Sequence, residues 1–339
     1  MGFIEQVMAV ARNTLLESVR QPVALVVVLI GTLLVIMSNP FAAYTMDDDN
    51  RMFVDIGLST VFMSGAILSA LLATSVLSRE IENKTVLTVV SKSVPRFAFL
   101  LGKYLGVAGA LTVCTAFLGV AFALVEMHGV LQTAATPMHW PVISLGLLAV
   151  LGALGAGIWC NYFYGMAFPA VFLVLGVPLL GIAYGMALMF DPDFAAQAPA
   201  KEFEGELWKA ILLVLAGVLA MASVAVAAST RFGQVLTVAA TLGMLLLGLL
   251  SDWIIGREVA ELERLAQAGS VAVNSATLWC WKAAYAAVPN FQVFWTVDAL
   301  NQGKSIPGSY IGWALAYGAL VTTAALGVGT ALFQRREVG

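Results

Sequence analysis

Long uninterrupted apolar runs dominate this sequence and set the strongest limit on its fold. Several runs reach the roughly 20 residues that a helix needs to cross the hydrocarbon layer of a bilayer. They are rich in Leu, Ala and Val and do not alternate polar with apolar residues, which favours helices over the strands of a membrane barrel. Only 11% of the 339 residues are charged, against about 25% in a soluble domain. The sequence therefore predicts an all-α, polytopic bundle of transmembrane helices.

The apolar runs predict about eight spans within a transmembrane domain at residues 22–333, followed by a short tail at 334–339. The expected spans are 22–41, 53–77, 97–125, 141–160, 164–190, 207–228, 234–254 and 310–333. The weakest boundary is Asn161-Tyr162-Phe163, a short polar break without charge. Residues 141–190 are therefore expected to form two full spans, with one span plus a re-entrant piece as the alternative.

The distribution of Lys and Arg predicts that both termini are cytoplasmic, because cytoplasmic loops are enriched in these residues. In this orientation the short outer loops carry acids such as Asp47-Asp48-Asp49. The cytoplasmic side then holds Arg12, Arg20, Arg79, Lys84, Lys92, Arg96, Lys103, Arg231, Arg335 and Arg336. The outer side holds Arg51, Lys201, Lys209, Arg257, Arg264, Lys282 and Lys304, four of them in one long segment.

Residues 1–21 predict an amphipathic helix in the membrane interface. Apolar side chains recur at helical spacing from Ile4 to Val19, whereas Glu5, Arg12 and Glu17 fall largely on another face. A short solvated lead-in to the first span is the alternative.

Residues 251–309 form the long segment between the last two spans, and they are expected outside the cell. Within it, apolar residues at helical spacing over 259–266 predict a short amphipathic helix. Five aromatic side chains that follow suit a belt at the membrane surface: Trp279, Trp281, Phe291, Phe294 and Trp295.

Residues 78–96 predict a short cytoplasmic helix between the second and third spans. Arg79 can pair with Glu82, and Glu80 can pair with Lys84, across one helical turn. Pro95 disfavours helical geometry at the residue before it and turns the chain back to the membrane. An ordinary positively charged loop is the alternative.

The same stretch resembles a segment of the type 2 ABC transporter permeases. The resemblance rests on Ser78-Arg79-Glu80-Ile81-Glu82-Asn83-Lys84-Thr85, then Ser93-Val94-Pro95-Arg96, then Gly102-Lys103. Three later motifs resemble the same family in the same order: Ala228-Ser229-Thr230-Arg231, Pro289-Asn290-Phe291 and Phe333-Gln334-Arg335-Arg336-Glu337. Members of the family usually have six spans, so residues 141–190 are extra.

The resemblance implies the membrane subunit of an ABC exporter in the cytoplasmic (inner) membrane. Such a subunit works as a homodimer or heterodimer with separate ATPase chains, which bind ATP and Mg²⁺, so this chain is expected to be no enzyme and to hold no cofactor. Residues 1–21 resemble the family's elbow helix. The residues expected to couple to the ATPase are Arg79, Glu80, Glu82, Lys84, Thr85, Leu87 and Val90. The expected cytoplasmic anchors are Arg96, Lys103, Arg231, Arg335 and Arg336.

Two other classes of function remain open, namely a secondary carrier or channel without an ATPase partner, and a structural membrane scaffold. The scarcity of charged residues inside the spans counts against ion-coupled carriers. Gly303-Lys304-Ser305 does not make a phosphate-binding loop, because Asp298 stands where the first Gly is needed. No basic block suggests nucleic acid, whereas lipid is an expected partner. The sequence identifies no cargo.

One outer loop is a weak candidate for a metal site. His128 and His139 bracket it, with Glu126, Met127 and Met138 beside them, and these side chains suit a soft metal such as copper. Because no ligand spacing is fixed, an ordinary solvated loop is the favoured interpretation and no metal is expected.

Overall fold

The computed structural model describes residues 2–42, 49–78, 95–130, 137–267 and 275–334, and these form an all-α bundle. The first half contains α1 Phe3–Val19, α2 Pro22–Ala42, α3 Asp49–Ala73, α4 Arg96–His128, α5 Trp140–Tyr164 and α6 Phe168–Ala187. The second half contains α7 Gly205–Ser229, α8 Gln234–Ser251, α9 Arg257–Gln267, α10 Ser275–Ala287, α11 Val297–Asn301 and α12 Gly308–Gln334. Short π-helical turns, Thr74–Ser78 and Asp252–Gly256, follow α3 and α8.

Eight helices in the described ranges are long and apolar enough to cross a membrane, namely α2 to α8 and α12. This number confirms the eight predicted spans. The chain is therefore a multi-pass helical membrane protein.

The predicted break between the fourth and fifth spans is displaced in the structure. Asn161-Tyr162-Phe163 remains inside α5, and the chain turns at Gly165, whose φ of 62° lies in the left-handed region. The Asn161 side chain donates a hydrogen bond of 2.7 Å to the carbonyl of Met166, so it stabilises the turn from within the helix. Because glycine has no Cβ, it takes this conformation without steric cost.

The centre of the bundle is formed by α3, α4 and α7, in which most residues are buried. Close approach of these helices depends on glycines opposite bulky side chains. A Cβ built on Gly57 of α3 would overlap the ring of Phe122 of α4, and one on Gly65 would lie 2.4 Å from Val218 of α7. Helices α5 and α6 form a hairpin against α4, where the rings of Phe117 and Phe172 pack at a tilt of 40° with centroids 5.5 Å apart.

Helix α1 runs beside the first half of α4 in the same direction. The Phe3 ring stacks on Phe97, and glycines further along α4 meet later turns of α1. A Cβ on Gly106 would lie 2.6 Å from the carbonyl oxygen of Ala11 and 2.4 Å from Thr14 Cβ. The predicted helix at residues 3–19 is confirmed, and its position in the membrane interface stays a prediction.

The segment before the last span folds back into the bundle. Phe291 and Phe294 are each 1% exposed, and Phe294 packs on Gly217 and Gly318. Gly217 lies 12 residues into α7, about 18 Å along its axis from the amino-terminal end of that helix. The prediction that Phe291 and Phe294 belong to an aromatic belt is therefore wrong, because their rings pack against glycines inside the protein.

The rest of the segment between the last two spans contains α9 and α10, which contact each other as a helical hairpin. The predicted amphipathic helix is confirmed as α9, which continues the axis of α8 through the π-helical turn. Lys282 Nζ lies 2.7 Å from a carboxylate oxygen of Glu263, and the hydroxyl of Tyr285 donates a hydrogen bond to Asp252. This hydrogen bond raises the pKa of Tyr285 above its ordinary value. Trp279 is 70% exposed on α10, as a residue of an aromatic belt would be.

Candidate functional site

The predicted coupling residues lie outside the described residues. These are Arg79, Glu80, Glu82, Lys84, Thr85, Leu87 and Val90, together with the anchors Arg335 and Arg336. Their roles stay predictions. The structure describes the two places where the segment joins the bundle: Ser78, which ends the π-helical turn after α3, and Pro95, which directly precedes α4.

The first junction is a π-helical turn that packs among several helices. Thr74–Ser78 contacts α1, α7 and α8, and the side chain of Gln21 donates a hydrogen bond of 2.8 Å to Ser75 Oγ. Val76 and Leu77 are each 1% exposed. The chain that follows α3 is thus packed against other helices up to the start of residues 78–96.

The second junction is built around Arg96 and the carboxyl end of α12. The Arg96 guanidinium donates hydrogen bonds of 3.0 Å and 2.7 Å to the carbonyls of Phe333 and Gln334. It also lies over the Phe333 ring, 5.5 Å from the centroid. A helix leaves its last four carbonyls without intrahelical donors, so a guanidinium at this position satisfies two of them.

Lys103 extends the same cluster into the protein. The Phe99 ring stacks on Phe333 with centroids 6.1 Å apart, and Lys103 Nζ lies 5.5 Å from the centroid of Phe99. Lys103 itself is only 3% exposed. Arg96, Phe99 and Lys103 recur at helical spacing and share one face of α4, so cations and rings alternate along it.

Arg231 lies apart from this cluster, in the turn between α7 and α8, and is exposed. The turn itself matches the predicted one. Thr230 is buried and its hydroxyl donates a hydrogen bond of 2.7 Å to the carbonyl of Ala227. Ala227 in turn meets Gly329 of α12, where an added Cβ would lie 2.9 Å from Ala227 Cα. The ends of α7 and α12 and the start of α4 therefore meet at one end of the bundle.

The histidines of the weak metal candidate have other partners. His139 is 3% exposed, and its Nε2 lies 3.1 Å from a carboxylate oxygen of Glu202. Its Nδ1 accepts a hydrogen bond from the amide of Val142 and so caps the start of α5. His128 Nδ1 donates to the carbonyl of Gly129 at 3.0 Å. The described residues contain no group of three His, Cys, Asp or Glu side chains that could hold a metal ion.

The sequence did not single out Phe99, and Phe333 entered only as part of the motif Phe333-Gln334-Arg335-Arg336-Glu337. The only available signal was the spacing from Arg96 through Phe99 to Lys103, which places an aromatic ring between two cations on one helical face. The partner ring is 237 residues away from Arg96 in the sequence, beyond the reach of a periodicity argument.

The chain matches no model of a known protein family and no curated protein sequence. The architecture and the two junctions are therefore the basis for any functional conclusion.

Proposed function

We propose that this membrane protein is the transmembrane subunit of an ATP-driven ABC exporter whose ATPase is a separate chain. The observation that carries the proposal is the placement of residues 78–96 between α3 and α4. Both helices belong to the buried centre of the bundle. A partner that moves this segment therefore acts directly on the core.

The fixed junctions support this role, because a coupling element must transmit a displacement without absorbing it. At one end Thr74–Ser78 packs among three helices. At the other end Arg96 is bonded to the end of α12. Motion of the segment would act on α3 and α4, which it joins, and would reach α12 through Arg96. Three spans would therefore respond together.

The charges of residues 79–84 suit a docking surface on a second protein. Arg79 and Lys84 are cationic and flank the two anionic residues Glu80 and Glu82, and interfacial charges fix the register between partners. Leu87 and Val90 supply an apolar edge. The exporter would contain two copies of this chain, or one copy and a homologue, each bound to an ATPase.

Purification of the tagged chain from its native membrane tests the proposal. In a mild detergent we expect an ATPase chain to co-purify in a 1:1 ratio, and the complex to hydrolyse ATP with inhibition by vanadate. Native mass spectrometry gives the stoichiometry. Recovery of the chain without any ATPase, with no ATP hydrolysis in the native membrane fraction attributable to it, would support a secondary carrier or a scaffold instead.

A further inference from the structure

A pocket of about 490 Å³ lies between α2, α4, α5 and α6, near the end of the bundle where α2 and α4 terminate. We refer to it as the lateral pocket. Binding sites for small molecules commonly enclose about 300–1,000 Å³. Its wall is almost entirely apolar and includes Ile36, Leu124, Leu147, Val150 and Leu180. No Lys or Arg is among its lining residues.

The lateral pocket opens onto a surface that is itself apolar. Ile143 and Ile36 are 36% and 46% exposed at the pocket, and Leu147 is 57% exposed. These side chains belong to helices that are long and apolar enough to cross a membrane. Hydrocarbon chains are therefore the molecules that meet the opening, and water gains few hydrogen bonds inside.

The polar groups of the pocket are concentrated at one end. Asn39 lies three residues before the end of α2, and His128 is the last residue of α4. Thr32 is the polar residue further in, seven residues and about 10 Å away along α2, and its hydroxyl donates to the carbonyl of Val28 at 2.8 Å. A ligand in this pocket therefore has a polar head at the helix ends and an apolar tail along the spans.

The chemistry of the polar end selects a head group that donates hydrogen bonds. Asn39 Nδ2 and His128 Nδ1 both donate to the carbonyl of Gly129, at 2.5 Å and 3.0 Å. These bonds leave Asn39 Oδ1 and, in a neutral ring, His128 Nε2 as acceptors, and no donor meets either within the described ranges.

A further feature near the polar end also favours a hydrogen-bond donor. Pro40 has no N–H, so the carbonyl of Ile36 lacks its normal helical donor. An anionic head without N–H or O–H groups would meet these acceptors, with no cation in the pocket lining.

We infer that the lateral pocket binds one acyl chain of a membrane phospholipid whose head group carries an N–H-donating ammonium. Phosphatidylethanolamine has this chemistry. Phosphatidylcholine shares its phosphate and its acyl chains but has no N–H. This site is independent of the proposed coupling to an ATPase.

The test uses purified protein in phosphatidylcholine nanodiscs with a trace of a lipid bearing a diazirine on its acyl chain. After irradiation, labelled peptides are quantified by mass spectrometry. Three head groups are compared: ethanolamine, N,N-dimethylethanolamine, which keeps one N–H at nearly the size of choline, and choline. We expect the ethanolamine lipid to label the pocket-facing residues of α5, such as Leu147 and Val150, at least about fivefold more than choline, with the dimethyl lipid between them.

A matched pair of variants tests the location. Gly146 lines the pocket, and a Cβ there would meet Leu124 Cδ1 at 3.9 Å, an ordinary contact, so Gly146→Leu is chosen to place a side chain in the pocket. Gly155 lies on the same helix with nothing within 4 Å of an added Cβ. Gly146→Leu should abolish the selective labelling, and Gly155→Leu should preserve it.

Two results would overturn the inference. Equal labelling of the unaltered protein by the ethanolamine and choline lipids would remove the basis for head-group selection. Undiminished labelling in Gly146→Leu, with a melting temperature equal to that of the unaltered protein, would place the lipid elsewhere. The first comparison needs no variant, so it remains decisive even if Gly146→Leu folds poorly.

Discussion

Arg96 joins parts of the chain that are 237 residues apart in sequence. Its guanidinium is the donor for the last carbonyls of α12, and it is the first residue of α4. A cation at the carboxyl end of a helix also interacts favourably with the helix dipole. The last residue of the segment at 78–96 therefore also binds the end of the last span, α12.

Replacing Arg96 by Ala should destabilise the end of α12. The substitution removes two charge-assisted hydrogen bonds and the contact with the Phe333 ring. Hydrogen bonds to charged groups are worth about 1.5–3 kcal/mol each. We expect a loss of about 2–4 kcal/mol in unfolding free energy, seen as a lower melting temperature in detergent and faster proteolysis after α12.

The matched control is Arg231→Ala, which removes the same charge from an exposed turn at the same end of the bundle. It should leave the melting temperature within about 1 °C, because exposed substitutions usually change stability by no more than 0.5 kcal/mol. Equal destabilisation by both variants would mean that the positive charge of this end matters and the bonds of Arg96 do not.

The sequence placed Arg96, Lys103 and Arg231 among the expected cytoplasmic residues by their charge and by motifs that resemble those of a permease family. It did not separate the two that join the aromatic cluster from the one that does not. Charge and helical period define a face of α4, but the neighbour of that face is chosen by the packing of α4 against α12. Phe333 completes the cluster, and no feature of the sequence around it predicts its contact with Phe99 and Arg96.

Among the elements, the α5–α6 hairpin was predicted as two helices, but its turn was placed four residues early. The error has a physical cause, because a polar Asn can remain in a helix when its side chain satisfies a carbonyl of the following turn. Glycine was the better marker here, as Gly165 takes a φ of 62°.

The structure also identifies Tyr162 as a suitable position for testing which side of the membrane this turn faces. Asn161 stabilises the turn, whereas Tyr162 is 82% exposed. In Tyr162→Cys with Cys160 and Cys280 replaced, we expect a membrane-impermeant maleimide to label from the cytoplasmic side only. Cys114 is 1% exposed and can be kept, because a buried thiol reacts slowly.

The control is a second variant, Glu258→Cys, on α9 in the hairpin of α9 and α10. It should be labelled only from outside. Labelling of Tyr162→Cys from outside would contradict the expected orientation of the hairpin. It would also place the turn of α5 and α6 on the side that holds α9 and α10.

The inserted segment around Phe291 was beyond sequence reasoning for a different reason. An aromatic, apolar stretch beside a span suits a membrane-surface belt and a buried wedge equally well. The choice is made by Gly217, Gly248 and Gly318, which leave room for the rings and lie on three different helices. Their convergence is a property of the tertiary structure.

At the scale of the whole molecule, the eight-span organisation followed from hydrophobic length, because the bilayer fixes how many apolar residues a helix needs. The arrangement of the spans did not follow, since helix packing in lipid depends on small residues whose patterns recur throughout the chain. The α5–α6 hairpin packs on the side of α4 away from the centre of the bundle, and its apolar faces remain exposed. It therefore leaves the central helices α3, α4 and α7 in contact with one another.

The central claim is that residues 78–96 couple this chain to an ATPase, and charge reversal within the segment tests it most directly. Glu261 is the control position, because it is exposed on α9, whereas Glu263 on the same helix is paired with Lys282. The matched variants are therefore Glu82→Lys, within residues 78–96, and Glu261→Lys, on α9. Each variant reverses a single charge.

The measurement is the amount of ATPase retained on the purified chain and its rate of ATP hydrolysis. A mismatched charge at an interface costs about 2–5 kcal/mol, so Glu82→Lys should lower retention or coupled hydrolysis at least about tenfold. Expression and membrane insertion should stay normal, because a helix-surface reversal alone costs only about 0.2–0.5 kcal/mol. Glu261→Lys should match the unaltered protein, and equal retention and hydrolysis in the two variants would contradict the assignment of this segment as the coupling element.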